Sequence, residues 1–79
     1  MPSRAATSYR KSVGQAVRSR REGLGVSQEA FAYACRLHRT YIGRLERGEV
    51  NVGLDNLVNV ARALGVPLST LISEAESLA

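Results

Sequence analysis

At 79 residues the chain has room for one domain with one modest core, and too little for a catalytic domain built on a large sheet. The apolar fraction is 44% but aromatics are only 5% and Trp is absent, so the core must come from Leu, Val, Ile and Ala, which suits interlocking helices. The net charge of +4 hides an asymmetry: residues 1–48 carry ten Lys/Arg against three Glu, whereas residues 49–79 carry one Arg against four acids. A polyanion partner for the first part fits this distribution, although small domains are also basic merely for solubility.

The single cysteine, Cys35, excludes an internal disulfide, and no apolar run approaches the roughly 20 residues of a membrane span. The N-terminus lacks the apolar stretch of a secretory signal, so a cytoplasmic location is expected. Cys35 lies at helical spacing from Phe31 on an apolar face and reads as a small buried hydrophobe rather than a reactive thiol.

In chain order, residues 1–8 show no periodic apolar face and read as a mobile basic tail, with the domain occupying residues 9–79. Tyr9, Val13, Ala16 and Val17 then line one side of a helix from about Ser8 to Glu22, stopped by Gly23 and Gly25; Arg20 interrupts that stripe and is expected to snorkel outward. Ser27 is a suitable N-cap for a short second helix, carried by Ala30, Phe31, Ala32 and Ala34 to about Cys35. A third helix is predicted from near His38 until Gly48 ends it, with Ile42 and Leu45 as its narrow inward stripe. Leu54, Leu57, Val58, Ala61 and Leu64 give a fourth helix closed by Gly65, and Pro67 with Ser69 punctuates the start of a fifth, apolar at Leu68, Leu71, Ile72, Ala75 and Leu78.

The informative feature is a short helix, a turn of about three residues and a second helix that exposes Arg39, Thr40, Tyr41 and Arg44. Long hydrogen-bonding side chains at the N-terminal end of a helix reach base edges when that helix lies in the major groove. Arg39, Thr40 and Arg44 are therefore the candidate base contacts, with the Arg39 fork suited to guanine, and the Tyr41 hydroxyl is assigned to phosphate because Ile42 and Leu45 already supply the inward stripe. His38 has only Cys35 near it as a second metal ligand and no nucleophile beside it; it reads as an N-cap or a phosphate neighbour. Arg4, Arg10 and Lys11 are either solvated charges or an arm onto a neighbouring groove.

The stretch SQEAFAYACRLHRTYIGRLERG resembles the helix-turn-helix of the lambda repressor and Cro family, over about Val13 to Ile72, and within it RTYI, ERG and LDNL resemble the controller proteins of restriction-modification systems. The resemblance implies an all-α, compact five-helix, lambda-repressor-like domain with a central helix-turn-helix. It also implies a transcription regulator that binds a palindromic operator on double-stranded DNA, with no cofactor and no small-molecule substrate. It places Ser27, Gln28, Arg47 and Asn51 beside the DNA backbone and makes Ala32 the small residue at the helix crossing. Arg21 and Glu46 take positions where the family has an Arg-carboxylate pair tying the first helix to the third. The usual turn glycine is replaced by Arg36, whose exposed corner offers a further phosphate contact, and Gly53 replaces the usual Ser or Thr cap of the fourth helix.

One module of this size contacts only a few base pairs, so two copies with recognition helices ~34 Å apart are expected, paired through Val66, Leu68, Leu71, Ile72 and Leu78, which exceed what one small core can hide. A second reading is the DNA-binding half of an antitoxin, or an adaptor that recognises another polypeptide through the fifth helix; two outward arginines on the recognition helix argue against it. No Gly-rich phosphate loop, metal cluster or nucleophile-base pair supports an enzyme.

Overall fold

The computed structural model describes residues 1–79 and consists of five helices: α1 (Arg4–Gly23), α2 (Gln28–Cys35), α3 (Arg39–Glu46), α4 (Leu54–Leu64) and α5 (Leu68–Leu78). No helix is long and apolar enough to cross a membrane. Every helix sends at least one side chain into a common core, made by Val17 of α1, Phe31 of α2, Ile42 and Leu45 of α3, Val60 of α4 and Leu71 of α5. Cys35 is buried in the same cluster, and that burial pushes its thiol up to about 11, so it stays protonated at neutral pH and packs as a small apolar group.

The ends of the helices follow local chemistry. Ser27 Oγ accepts the Ala30 N–H at 3.1 Å and caps α2; His38 Nδ1 accepts the Thr40 N–H at 3.1 Å and caps α3. Arg36 closes α2 in the left-handed region, with φ 59° and ψ 38°, where glycine is the usual occupant; an arginine there costs on the order of 1 kcal/mol. Gly53 precedes α4 without a side-chain cap, and Gly65 closes that helix.

Four expectations are corrected. The first helix starts at Arg4 rather than Ser8, because Ser3 Oγ accepts the Ala6 N–H at 3.1 Å and opens it more than a turn early, so residues 4–8 are helical instead of a tail. Leu71 is not an interface residue: its side chain is 0% exposed within a single chain, at the centre of the core. Leu54, counted in the inward stripe of α4, is 67% exposed, because the first turn of that helix projects beyond the core. Arg20 does not snorkel into solvent but crosses to α5, where its Nε donates to Glu74 Oε1 at 2.6 Å and Nη2 donates to the second carboxylate oxygen. The guanidinium holds the Glu74 carboxyl below the usual carboxylate range. Nearby, the Tyr9 hydroxyl donates to Glu76 Oε2 at 3.3 Å, so the polar edges of α1 and α5 are joined at two places.

At Gly14 α1 lies against the backbone of α3. Gly14 is buried, and a Cβ placed on it would stand 2.6 Å from the Glu46 carbonyl oxygen and closer still to that of Leu45. Both neighbours are backbone, so only glycine allows the two helices to touch here. Gly14→Ala is expected to lower the unfolding free energy by about 1–3 kcal/mol, as overpacking of a tight contact does. Gly23→Ala, where the added methyl meets open space, serves as the control; equal urea midpoints for the two variants would show that α1 and α3 separate without cost.

Candidate nucleic-acid interface

The recognition helix is held from behind by a buried ion pair. Glu46, in the last turn of α3, receives Arg21 Nε at 2.6 Å on one carboxylate oxygen and Nη2 at 3.0 Å on the other, with side-chain exposures of 10% for Arg21 and 2% for Glu46. The remaining Arg21 nitrogen donates to the Val26 carbonyl at 2.8 Å, and Gln28 Nε2 donates to Glu46 Oε1 at 2.9 Å. The Arg21–Glu46 pair thus joins α1, the connection before α2, the first residue of α2 and the end of α3. No buried side-chain donor or acceptor in the chain lacks a partner, which is what such a network requires to be worth its desolvation.

With its back fixed, α3 presents Arg39, Thr40 and Arg44 outward, all exposed. Thr40 and Arg44 stand one turn apart on one face, and Arg39 borders them at the helix start. Neither arginine lies within ion-pair distance of an acid. The other cations without an acidic partner are Arg4, Arg10, Lys11, Arg36 and Arg62, whereas Arg18, Arg20, Arg21 and Arg47 are paired with Glu22, Glu74, Glu46 and Glu49.

The residues expected at phosphate divide into groups. Ser27 and His38 are exposed at helix starts and already serve as caps. Gln28 is half-buried, and its amide nitrogen is committed to Glu46. Tyr41 is half-buried against the core, and its hydroxyl oxygen accepts Asn56 Nδ2 at 3.3 Å, so packing accounts for much of its side chain. Arg47 is exposed but bound to Glu49, with Nε to Oε2 at 2.9 Å and Nη2 to Oε1 at 3.3 Å, and this partner lowers the Glu49 carboxyl below its ordinary range. Arg36 is free at the corner between α2 and α3, in a cleft shared with Asn59 and Arg62 of α4. Asn51 lies exposed in the connection from α3 to α4, bordering an apolar groove with Tyr9, Arg10 and Val13.

Three participants escaped the sequence reading. Asn56 had no signal to set it apart from the other polar residues of α4, Asp55, Asn59 and Arg62. Glu49 sits two residues beyond Arg47, a spacing too common to single out. In the Arg20–Glu74 pair, Arg20 interrupts an apolar stripe but reads as a snorkelling charge, and its partner lies 54 residues further along the chain.

Arg21→Ala or Glu46→Ala is expected to cost about 3–5 kcal/mol, because each leaves a desolvated charge behind, and the double variant is expected to lose clearly less than the sum. Additive losses in a denaturation cycle would show that the two charges act independently.

Comparison with known proteins agrees with this geometry. The family model described as Helix-turn-helix matches residues 17–71, from the middle of α1 into α5. A control protein of Bacillus amyloliquefaciens, C.BamHI, is 48% identical over 60 residues, covering 75% of this chain and 74% of that one. Among solved structures, the clp gene regulator ClgR from C. glutamicum superposes with a TM-score of 0.85 at 34% identity, covering 89% of this chain and 90% of that one. The restriction-modification controller protein C.AhdI from Aeromonas hydrophila superposes with a TM-score of 0.75 at 39% identity, covering 77% and 92%. The chain belongs to the helix-turn-helix family of lambda repressor and Cro type, with control proteins of restriction-modification systems among its relatives.

Proposed function

We propose that the protein is a transcription regulator that binds a palindromic operator as a homodimer in the cytoplasm, as a controller of a restriction-modification system, and that it is not an enzyme. The observation that carries this reading is the pair Arg39 and Arg44: two unpartnered guanidinium groups on the outward face of a helix whose other side is locked by Glu46. Such a helix enters a major groove with its first turn leading. Arg39 then reads a guanine through two parallel donors, and Thr40 and Arg44 contact neighbouring bases. Around them Ser27, Gln28, Arg36, His38, Tyr41, Arg47 and Asn51 set the register on phosphates, with the exposed Arg47–Glu49 pair weak enough to exchange for an anion. The control-protein names of the relatives support the same reading.

The dimer contact is assigned to Val66, Leu68, Ile72 and Leu78. Val66 and Leu68 are half-buried against the core and form its rim; Ile72 is half-buried but not packed on the core, and Leu78 is 50% exposed. Joining two copies along this edge removes that surface from water and supplies the second half-site reader. Ile72→Glu is expected to shift sedimentation from dimer to monomer while leaving the melting cooperative, since the residue is outside the core. A dimer that persists in Ile72→Glu would move the interface off α5.

The base-reading assignment is tested by selecting the operator from a random library and measuring each variant on that site and its single-base changes. Arg39→Ala is expected to cost specific binding about 1–3 kcal/mol and to relax one position in each half-site. Gln28→Ala and Tyr41→Phe are expected to weaken specific and non-specific binding by similar factors with the preferred sequence unchanged. Unaltered base preference in Arg39→Ala would pass the reading role to Arg44 or Thr40.

A further inference from the structure

The early start of α1 has a consequence for charge placement. Because Ser3 caps the helix, Arg4 and Lys11 are held on one helix side, seven residues or about 10 Å apart, instead of belonging to a loose arm. Thr7 and Ser8 stand between them, all four lining one polar concavity with Pro2. Neither cation has an acid within ion-pair distance, although Glu22, Glu74 and Glu76 engage other side chains of this same helix. Lys11 is also pinned in place: the backbone at Gly48, φ 73°, comes so close that a Cβ there would stand 2.7 Å from Lys11 Cα and 2.8 Å from its Cγ. Gly48 follows Arg47, the C-cap of the recognition helix, and opens the connection that carries Asn51, and Arg10, the residue before Lys11, borders the groove beside Asn51. The stem of Lys11 is thus clamped at the end of α3 with its ammonium exposed.

We infer that the N-terminal half of α1 is a second phosphate-binding element, in which Lys11 and Arg4 extend the DNA contact from the α3–α4 connection along one strand of the backbone. The inference rests on the DNA-binding reading and adds residues to it. Its chemistry is sequence-independent: two exposed cations on a rigid helix neutralise two phosphodiesters and release their counterions. The rigidity distinguishes it from a disordered tail, since a preformed ridge contacts DNA without the entropy loss of ordering a flexible segment.

The test uses the full chain and the operator duplex that the wild type selects. Arg4→Gln combined with Lys11→Met removes both charges while keeping straight side chains, so the packing of Lys11 on Gly48 is retained and an unchanged thermal melt checks the fold. The dependence of log affinity on log salt is expected to become shallower by about 1.8 for each protomer, or about 3.6 for the homodimer on its operator, with the base preference unaltered. Lys11→Arg with Arg4 intact is expected to keep the wild-type slope. Arg18→Gln, which removes an exposed cation paired with Glu22 and given no part in binding, is the control for net charge. An unchanged slope in the double variant, or an equal change per charge removed in Arg18→Gln, overturns the inference. If the wild type selects no sequence at all, the DNA-binding reading itself fails.

Discussion

The orientation of the recognition helix depends on a carboxylate almost wholly removed from water. Glu46 accepts three hydrogen bonds from two side chains on two other helices, and it does so from the last turn of α3. Desolvating an arginine and a glutamate offsets most of their attraction, so the pair contributes little more than an apolar contact of the same volume would. Its bidentate geometry contributes direction: two parallel N–H groups meet two oxygens in one plane, and that plane fixes how α3 is rotated about its own axis. Rotation is the variable that matters to a helix whose outward residues must meet base edges, since ~100° of turn separates one side chain from the next.

Gly14 makes the same constraint from the other side. A glycine in mid-helix loses about 0.5–1 kcal/mol against alanine in propensity, yet here it lets α1 lie directly on the carbonyls of Leu45 and Glu46. The tight approach keeps the Arg21 guanidinium, two turns further along α1, within reach of Glu46. α1 is in turn fastened to α5 by the Arg20–Glu74 pair. The adjacent arginines Arg20 and Arg21 therefore do different work: one is half-exposed and joins the C-terminal helix, the other is buried and sets the recognition helix.

Much of this was legible in the sequence because the signals were local. Ser27, His38 and Gly65 mark helix ends through backbone chemistry that needs no tertiary information, and the apolar spacing of α4 and the Arg21–Glu46 pair followed from pattern and family resemblance. Errors arose where a long-range contact decided the outcome. Leu71 and Ile72 are adjacent and equally apolar, and only the packing of α5 on its neighbours puts the first in the core and leaves the second at its edge. At Tyr41 the phosphate assignment is not displaced, but the spacing within α3 gives no sign that the ring packs partly on the core or that α4 brings Asn56 to its hydroxyl. At the start of α1 the residues after Ser3, Arg4, Ala5 and Ala6, show no apolar face to mark a helix, although alanine favours helix without any partner to pack on.

Net charge alone does not locate the interface, because the chain spends its cations in two ways. Four arginines are neutralised by acids: Arg18 and Arg47 through near neighbours in sequence, Arg20 and Arg21 through other helices. The unpaired ones cluster at the N-terminal half of α1, the corner between α2 and α3, the face of α3 and the end of α4. Arg36 sharpens the contrast, since it occupies a left-handed corner that a glycine would fill without strain. Tolerating that strain on the order of 1 kcal/mol places a charged side chain three residues ahead of Arg39, at the leading end of the recognition helix, where a glycine would leave the corner uncharged.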